Sequence, residues 1–218
     1  MTDMKPDMNL IQEIKGFLDP EEGMRIYDVA CEAAKMGPML EIGSYCGKSS
    51  VYLGSAAKTH NSVLFTIDHH RGSEEQQFGE GYFDPDLYDE REKKVDTFPH
   101  LRKTLERAGL EDAVVPMVST SHVIAKVWAT PLSLVFIDGG HTFKAAFNDY
   151  SCWARHIMPG GFLLVHDIFK NPEEGGQAPY HVYKLAIASG QFEVLPMTKT
   201  LGVLRRYSCG EIPSDLPA

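Results

Sequence analysis

At 218 residues, with 43% hydrophobic and 23% charged residues, the chain has the size and composition of one soluble globular domain with a single core. Its formal net charge of −9 leaves no basic stripe to neutralise phosphates, so a nucleic-acid partner is not expected. No apolar run approaches about 18 residues, so no membrane-crossing helix and no membrane partner is expected.

The opening "MTDMKPDMNLIQEI" is polar and acidic, unlike a signal peptide, and residues 1–20 read as an N-terminal extension. Cys31, Cys46, Cys152 and Cys209 are scattered with no C-x-x-C pair, which fits reduced thiols and a cytoplasmic location. After the extension, segments of helical period alternate with short apolar runs, the signature of a mostly parallel sheet. A helix is expected over 21–36, then a strand over 38–43 that runs into "EIGSYCGKSS". That stretch ends like a nucleotide-triphosphate loop, but Gly43 and Gly47 are one residue too close for that pattern. It is a short glycine turn opening a helix over 48–59, free of side chains where a ligand approaches the backbone. A purely structural strand-to-helix turn has the same pattern.

The second strand, 62–68, ends in "TIDHH". An acid at this tip, Asp68, can accept hydrogen bonds from both hydroxyls of a ribose. Glycine turn, helix and terminal acid together describe a nucleoside pocket without a pyrophosphate cradle. Residues 71–97 then interpose a long acidic, aromatic-rich stretch where a few residues would suffice. Leaving from the carboxyl end of a parallel strand, this insertion reads as a lid over the ligand, with a disordered loop as the alternative. A helix over 97–109 and a strand over 113–118 lead to "VSTSHV", whose Ser119, Thr120 and Ser121 offer hydroxyls and amides beside an adenine, or cap the helix over 120–128.

The fourth strand, 132–138, ends in "FIDGGH", and the fifth, 161–167, in "LVHDI". Asp138, His141, His166 and Asp167 therefore emerge at one sheet edge and suit a divalent metal site or a general base. The oxygen ligands suit Mg²⁺. The plain alternative has His141 capping a helix and His166 packing under a loop. Between these strands a helix over 142–157 carries Phe143, Phe147, Tyr150, Trp153 or Ala154, and Ile157 at steps of three and four, which predicts one apolar face toward the core. After a helix over 178–189, strands over 192–196 and 201–206 are too close for a parallel crossover and must pair as an antiparallel hairpin or lie apart. The expectation is one domain over 1–218: an α/β, three-layer Rossmann-like sandwich with seven strands, mostly parallel and one antiparallel.

These stretches resemble class I S-adenosylmethionine-dependent methyltransferases, over roughly 20–206 and most specifically over 132–168. The nearest branch, with an "IDG-H" motif and a downstream "HD", is similar to catechol and macrocin-type sugar O-methyltransferases. The resemblance implies that Gly43, Ser44, Tyr45, Gly47 and Ser49 hold the methionine end of S-adenosyl-L-methionine. It also implies that Glu41 supports that turn and the cofactor's amino group, that Asp68 with His69 takes the ribose, and that Ser119 to Ser121 flank the adenine. Asp138 matches an acid that binds Mg²⁺ beside the acceptor hydroxyl, and His166–Asp167 matches the paired ligands, with Asp138, His141 and His166 as catalytic candidates. That pair is His–Asp rather than two carboxylates or Asp–Asn, which leaves His166 either a metal ligand or a base. The implied reaction is methyl transfer to a hydroxyl of a small-molecule acceptor. A metal-dependent hydroxylase on the same fold, or a nucleoside-binding protein without catalysis, are the alternatives. A homodimer is the base-rate expectation.

Overall fold

The computed structural model describes residues 5–208; Cys209 and the ends of the expected domain lie outside them. Seven strands form one sheet: β1 Met39–Ile42, β2 Leu64–Asp68, β3 Val114–Val118, β4 Leu132–Ile137, β5 Ile157–Val165, β6 Phe192–Thr198 and β7 Leu201–Arg206. Their order is β3-β2-β1-β4-β5-β7-β6, and β7 runs antiparallel to both neighbours. Helices α1 Met8–Glu13, α2 Pro20–Ala33, α3 Lys48–Thr59, α4 Phe98–Ala108, α5 Ser121–Ala125, α6 Phe143–Trp153 and α7 Ala178–Ala188 complete the layers. Among the described residues, no helix is long and apolar enough to cross a membrane.

The core has two faces because strand side chains alternate. Leu134, Phe136, Phe162 and Leu164 join Ile26, Tyr52 and Leu53 on one side. Val135, Ile137, Leu163 and Val165 join Trp153 and Tyr183 on the other. Register then sets the site. Ile42 pairs with Ile67 and with Ile137, and Ile137 pairs with Val165. The next residues along each strand, Gly43, Asp68, Asp138 and His166, therefore leave the sheet at one level.

The structure adds a helix to the N-terminal extension and corrects two expectations for the helix over 142–157. The N-terminal extension contains α1, capped by the Asp7 carboxylate on the amides of Asn9 and Leu10, with Leu10 and Ile11 buried. The helix over 142–157 stops at Trp153; a 3₁₀ turn over Ala154–His156 follows, and β5 starts at Ile157. Its core face is also different: Ala146, Asp149 and Trp153 are buried, whereas Phe143 and Phe147 stack on each other at 5.8 Å and stay exposed. The helix turns this way because its neighbouring face, carrying Ala145, Asn148 and Asp149, lines a cavity.

The 71–97 insertion is folded. It contains short 3₁₀ turns and a small ladder pairing Tyr88–Asp89 with Lys94–Val95, and it buries Leu87 and Val95. Lys15 joins it to the N-terminal segment, its Nζ donating to Asp84 at 2.5 Å and to Asp86 at 2.8 Å.

Candidate active site

A cavity of about 800 Å³ opens at the carboxyl edge of the sheet, under the insertion. Gly43, Ser44, Tyr45, Ser49, Asp68, His69, Ser119, Thr120, Ser121, Asp138, His141, His166 and Asp167 all line it. Glu41 and Gly47 do not.

The glycine turn is built on positive φ angles. Gly43 has φ 91°, and a Cβ there would lie 2.1 Å from the Asp138 carbonyl oxygen, so β1 and β4 approach too closely for any side chain. Gly47, at φ 93°, packs on Leu101 and Thr104 and starts α3, so its role is to shape the turn. Ser44 Oγ is buried in the cavity wall and has no hydrogen-bond partner among the described residues. A buried orphaned hydroxyl marks a place that a bound polar group completes, which fits the carboxylate or amine end of an amino-acid-bearing ligand. Asp68 stands beside this turn, with Oδ2 accepting the Tyr45 amide at 2.9 Å and Oδ1 the His70 amide at 2.7 Å.

Glu41 lies behind the turn, fully buried. Its Oε2 accepts from Ser50 at 2.5 Å and Thr66 at 2.7 Å, tying β1 to α3 and β2. Burial pushes its pKa up to about 7 despite those serine and threonine hydrogen bonds. It braces the turn from behind the cavity wall.

His166 is held between two carboxylates. Its Nδ1 pairs with Asp138 Oδ1 at 2.9 Å and its Nε2 with Glu22 Oε2 at 3.0 Å. Burial alone would lower its pKa; the Asp138 and Glu22 carboxylates override this and push it to about 11. Both ring nitrogens are engaged by carboxylates, one from β4's end and one from α2. Glu22, in α2, in turn accepts from the Thr200 amide and hydroxyl, each at 2.7 Å.

His141 takes the place expected of His166. One ligand atom each from Asp138, His141 and Asp167 lies within 4.8 Å of the others, a spacing that can hold a metal ion. His141 Nε2 sits 3.1 Å from Asp167 Oδ2, and Nδ1 sits 3.5 Å from Glu75 of the insertion. The Asp167 hydrogen bond raises the His141 pKa against the effect of burial. Burial would raise the Asp167 carboxyl, but His141 and the His166 cation hold it below its ordinary value. Asp167 has φ 57°, a left-handed backbone that aims its side chain at some cost, as strained residues at functional sites do.

Other residues of the site were not singled out individually in the sequence. Phe17 and Tyr82 line the mouth as an edge-to-face pair 5.5 Å apart, and Phe17 also meets Tyr45 at 6.3 Å. Asp149 lines the wall near Ser121, where an acid among the helix's aromatics did not stand out.

A family described as a methyltransferase domain matches residues 40–168. Among solved structures, the cofactor-bound Rv0187 from MTB is 15% identical, with TM-score 0.65 over 92% of this chain and 88% of that one. The O-methyltransferase TomG from Streptomyces achromogenes, in complex with SAM, is 15% identical, with TM-score 0.60 over 88% and 82%. The O-methyltransferase from Bacillus cereus, in complex with SAH, is 14% identical, with TM-score 0.61 over 92% of each chain. At these identities the likeness establishes the fold.

Proposed function

The chain belongs to the methyltransferase-domain family, and on that premise we propose that it transfers a methyl group from S-adenosylmethionine to a hydroxyl of a small molecule. The observation that carries this reading is the levelling of Gly43, Asp68 and Asp138 around one cavity, with the orphaned Ser44 hydroxyl at the turn. When bound, the cofactor supplies a methyl group on a sulfonium, open to in-line attack. The turn would take its amino-acid end, Asp68 its ribose hydroxyls, and Ser119 to Ser121 its base.

The chain's own work is alignment and charge control. Asp138 faces the cavity with one carboxylate oxygen held by the His166 cation, so it keeps its orientation while the other oxygen stays available. His141 stands beside it with a nitrogen for the acceptor's proton. Asp138, His141 and Asp167 would also hold a divalent cation, which supplies Lewis acidity toward the acceptor oxygen. The mixed imidazole–carboxylate set suits Mn²⁺ or Fe²⁺ at least as well as Mg²⁺. The three side chains that come together contain one histidine, which favours this set over a two-His-one-carboxylate iron centre. The insertion and the aromatic mouth would close over the acceptor and exclude water. Free Cys46 and Cys152 accord with a reducing, cytoplasmic setting.

Titration calorimetry with S-adenosylmethionine and with NAD tests the pocket. Binding of the first and not of the second is expected; no binding of the first overturns the assignment. Release of S-adenosylhomocysteine across a panel of hydroxylated compounds then identifies the acceptor.

A further inference from the structure

Asp149 is an acid that the reaction described above does not use. It sits on α6, its residue only 7% exposed, yet it lines the cavity. Its Oδ1 accepts the Ser121 hydroxyl. Its Oδ2 has no hydrogen-bond partner among the described residues. That oxygen lies against Gly139, where an added Cβ would come within 3.0 Å of it. The missing side chain at 139 therefore leaves Oδ2 uncovered. Burial raises the Asp149 carboxyl to about 6, against the Ser121 hydrogen bond, and the geometry leaves an under-satisfied acceptor facing the cavity.

The location says what it faces. The Ser119 amide donates to the Asp68 carbonyl at 3.1 Å, so the 119–121 segment begins directly beside the ribose acid. Ser121 then links that segment to Asp149. A base attached to a ribose at Asp68 extends between the 119–121 segment and Gly139–Gly140, both of which line the cavity. A lone carboxylate oxygen at the end of that slot calls for a donor. The Watson–Crick edge of adenine supplies one, its exocyclic amine, and has no other N–H.

We propose that Asp149 reads the exocyclic amine of the cofactor's adenine through Oδ2, while Ser121 fixes the carboxylate through Oδ1. The inference rests on the cofactor reading above and assigns base specificity to a side chain from α6, outside the loops that follow β1 and β2. Ser121 then acts as a positioning residue.

The test is calorimetric and needs no acceptor. Affinities are measured for S-adenosylhomocysteine and for its 6-desamino analogue, which carries hydrogen in place of the amine. The wild-type chain is expected to prefer the amine by about tenfold to hundredfold, the range for a hydrogen bond to a charged group. Asp149→Ala is expected to reduce that preference below about threefold, and Asp149→Asn to an intermediate value, which decides the matter if the alanine variant does not fold. Equal wild-type affinities, or a preference unchanged in both variants, overturn the inference and leave the cofactor reading standing. Failure of the wild type to bind S-adenosylhomocysteine at all overturns both.

Discussion

The Asp68 carboxylate accepts the backbone amide of Tyr45 at 2.9 Å. The acid at the tip of β2 thus fixes the glycine turn as well as facing the cavity, and Tyr45 holds a left-handed φ of 47° there. Asp68→Ala removes charged hydrogen bonds worth about 1.5–3 kcal/mol each. The expected result is a tenfold to hundredfold rise in the S-adenosylhomocysteine Kd by calorimetry, together with a lower melting temperature. An unchanged Kd would show that the ribose lies elsewhere.

Glu41 predicts how stability varies with pH. Its pKa is about 7 in the folded chain against an ordinary 4.5. Between those values the folded state binds more protons than the unfolded one, so stability falls as pH rises from about 4.5 to about 7 and levels off above. The size is on the order of 3 kcal/mol. Glu41→Gln should flatten that part of the curve, as measured by urea melts at pH 5, 6, 7 and 8. A slope identical to wild type would refute the assignment.

His166 predicts a pH dependence of the same sign, from a stabilised cation rather than a penalised anion. Its folded pKa of about 11 lies above the ordinary 6.5, so its stabilisation is complete below about 6.5 and is lost as pH rises through about 11. His166→Gln leaves Glu22 buried without its cation and should destabilise the fold by about 3–5 kcal/mol at pH 7. Adding Glu22→Gln should recover part of that loss, because the uncompensated charge goes with it. Additive effects in the double variant would mean that the pair is not coupled.

The cluster of Asp138, His141 and Asp167 predicts divalent-ion binding. Manganese titration should detect one site, weakened at least tenfold in His141→Ala and nearly unaffected in Glu75→Ala, since the Glu75 contact is 3.5 Å long. Asp138→Asn should keep S-adenosylhomocysteine affinity within about threefold of wild type and abolish methyl transfer. Retained transfer would remove Asp138 from the chemistry.

Much of this arrangement could be read from the chain because the strands are continuous apolar runs with acids at their ends. That pattern places Asp68 and Asp138 at one edge before any register is known. The layout of α6 could not be read the same way. Its aromatic periodicity points Phe143 and Phe147 inward, but the cavity claims the face with Asp149 and turns them to solvent. The surroundings of His166 were hidden for another reason. Its partner Glu22 lies 144 positions away, and nothing local to "LVHDI" shows that both ring nitrogens are already engaged. Helix α1, at six residues, is too short for a period to register.

Lys15 carries a consequence for traffic through the mouth. A single ammonium joins the segment before α2 to the insertion through Asp84 and Asp86. The two covers are therefore joined by this clasp and by the Phe17–Tyr82 ring pair. Because that clasp is partly solvated, it is worth about 1 kcal/mol or less and weakens as salt rises. Entry and exit of ligands should respond to ionic strength, whereas the interior His166 pair, shielded from bulk ions, should not.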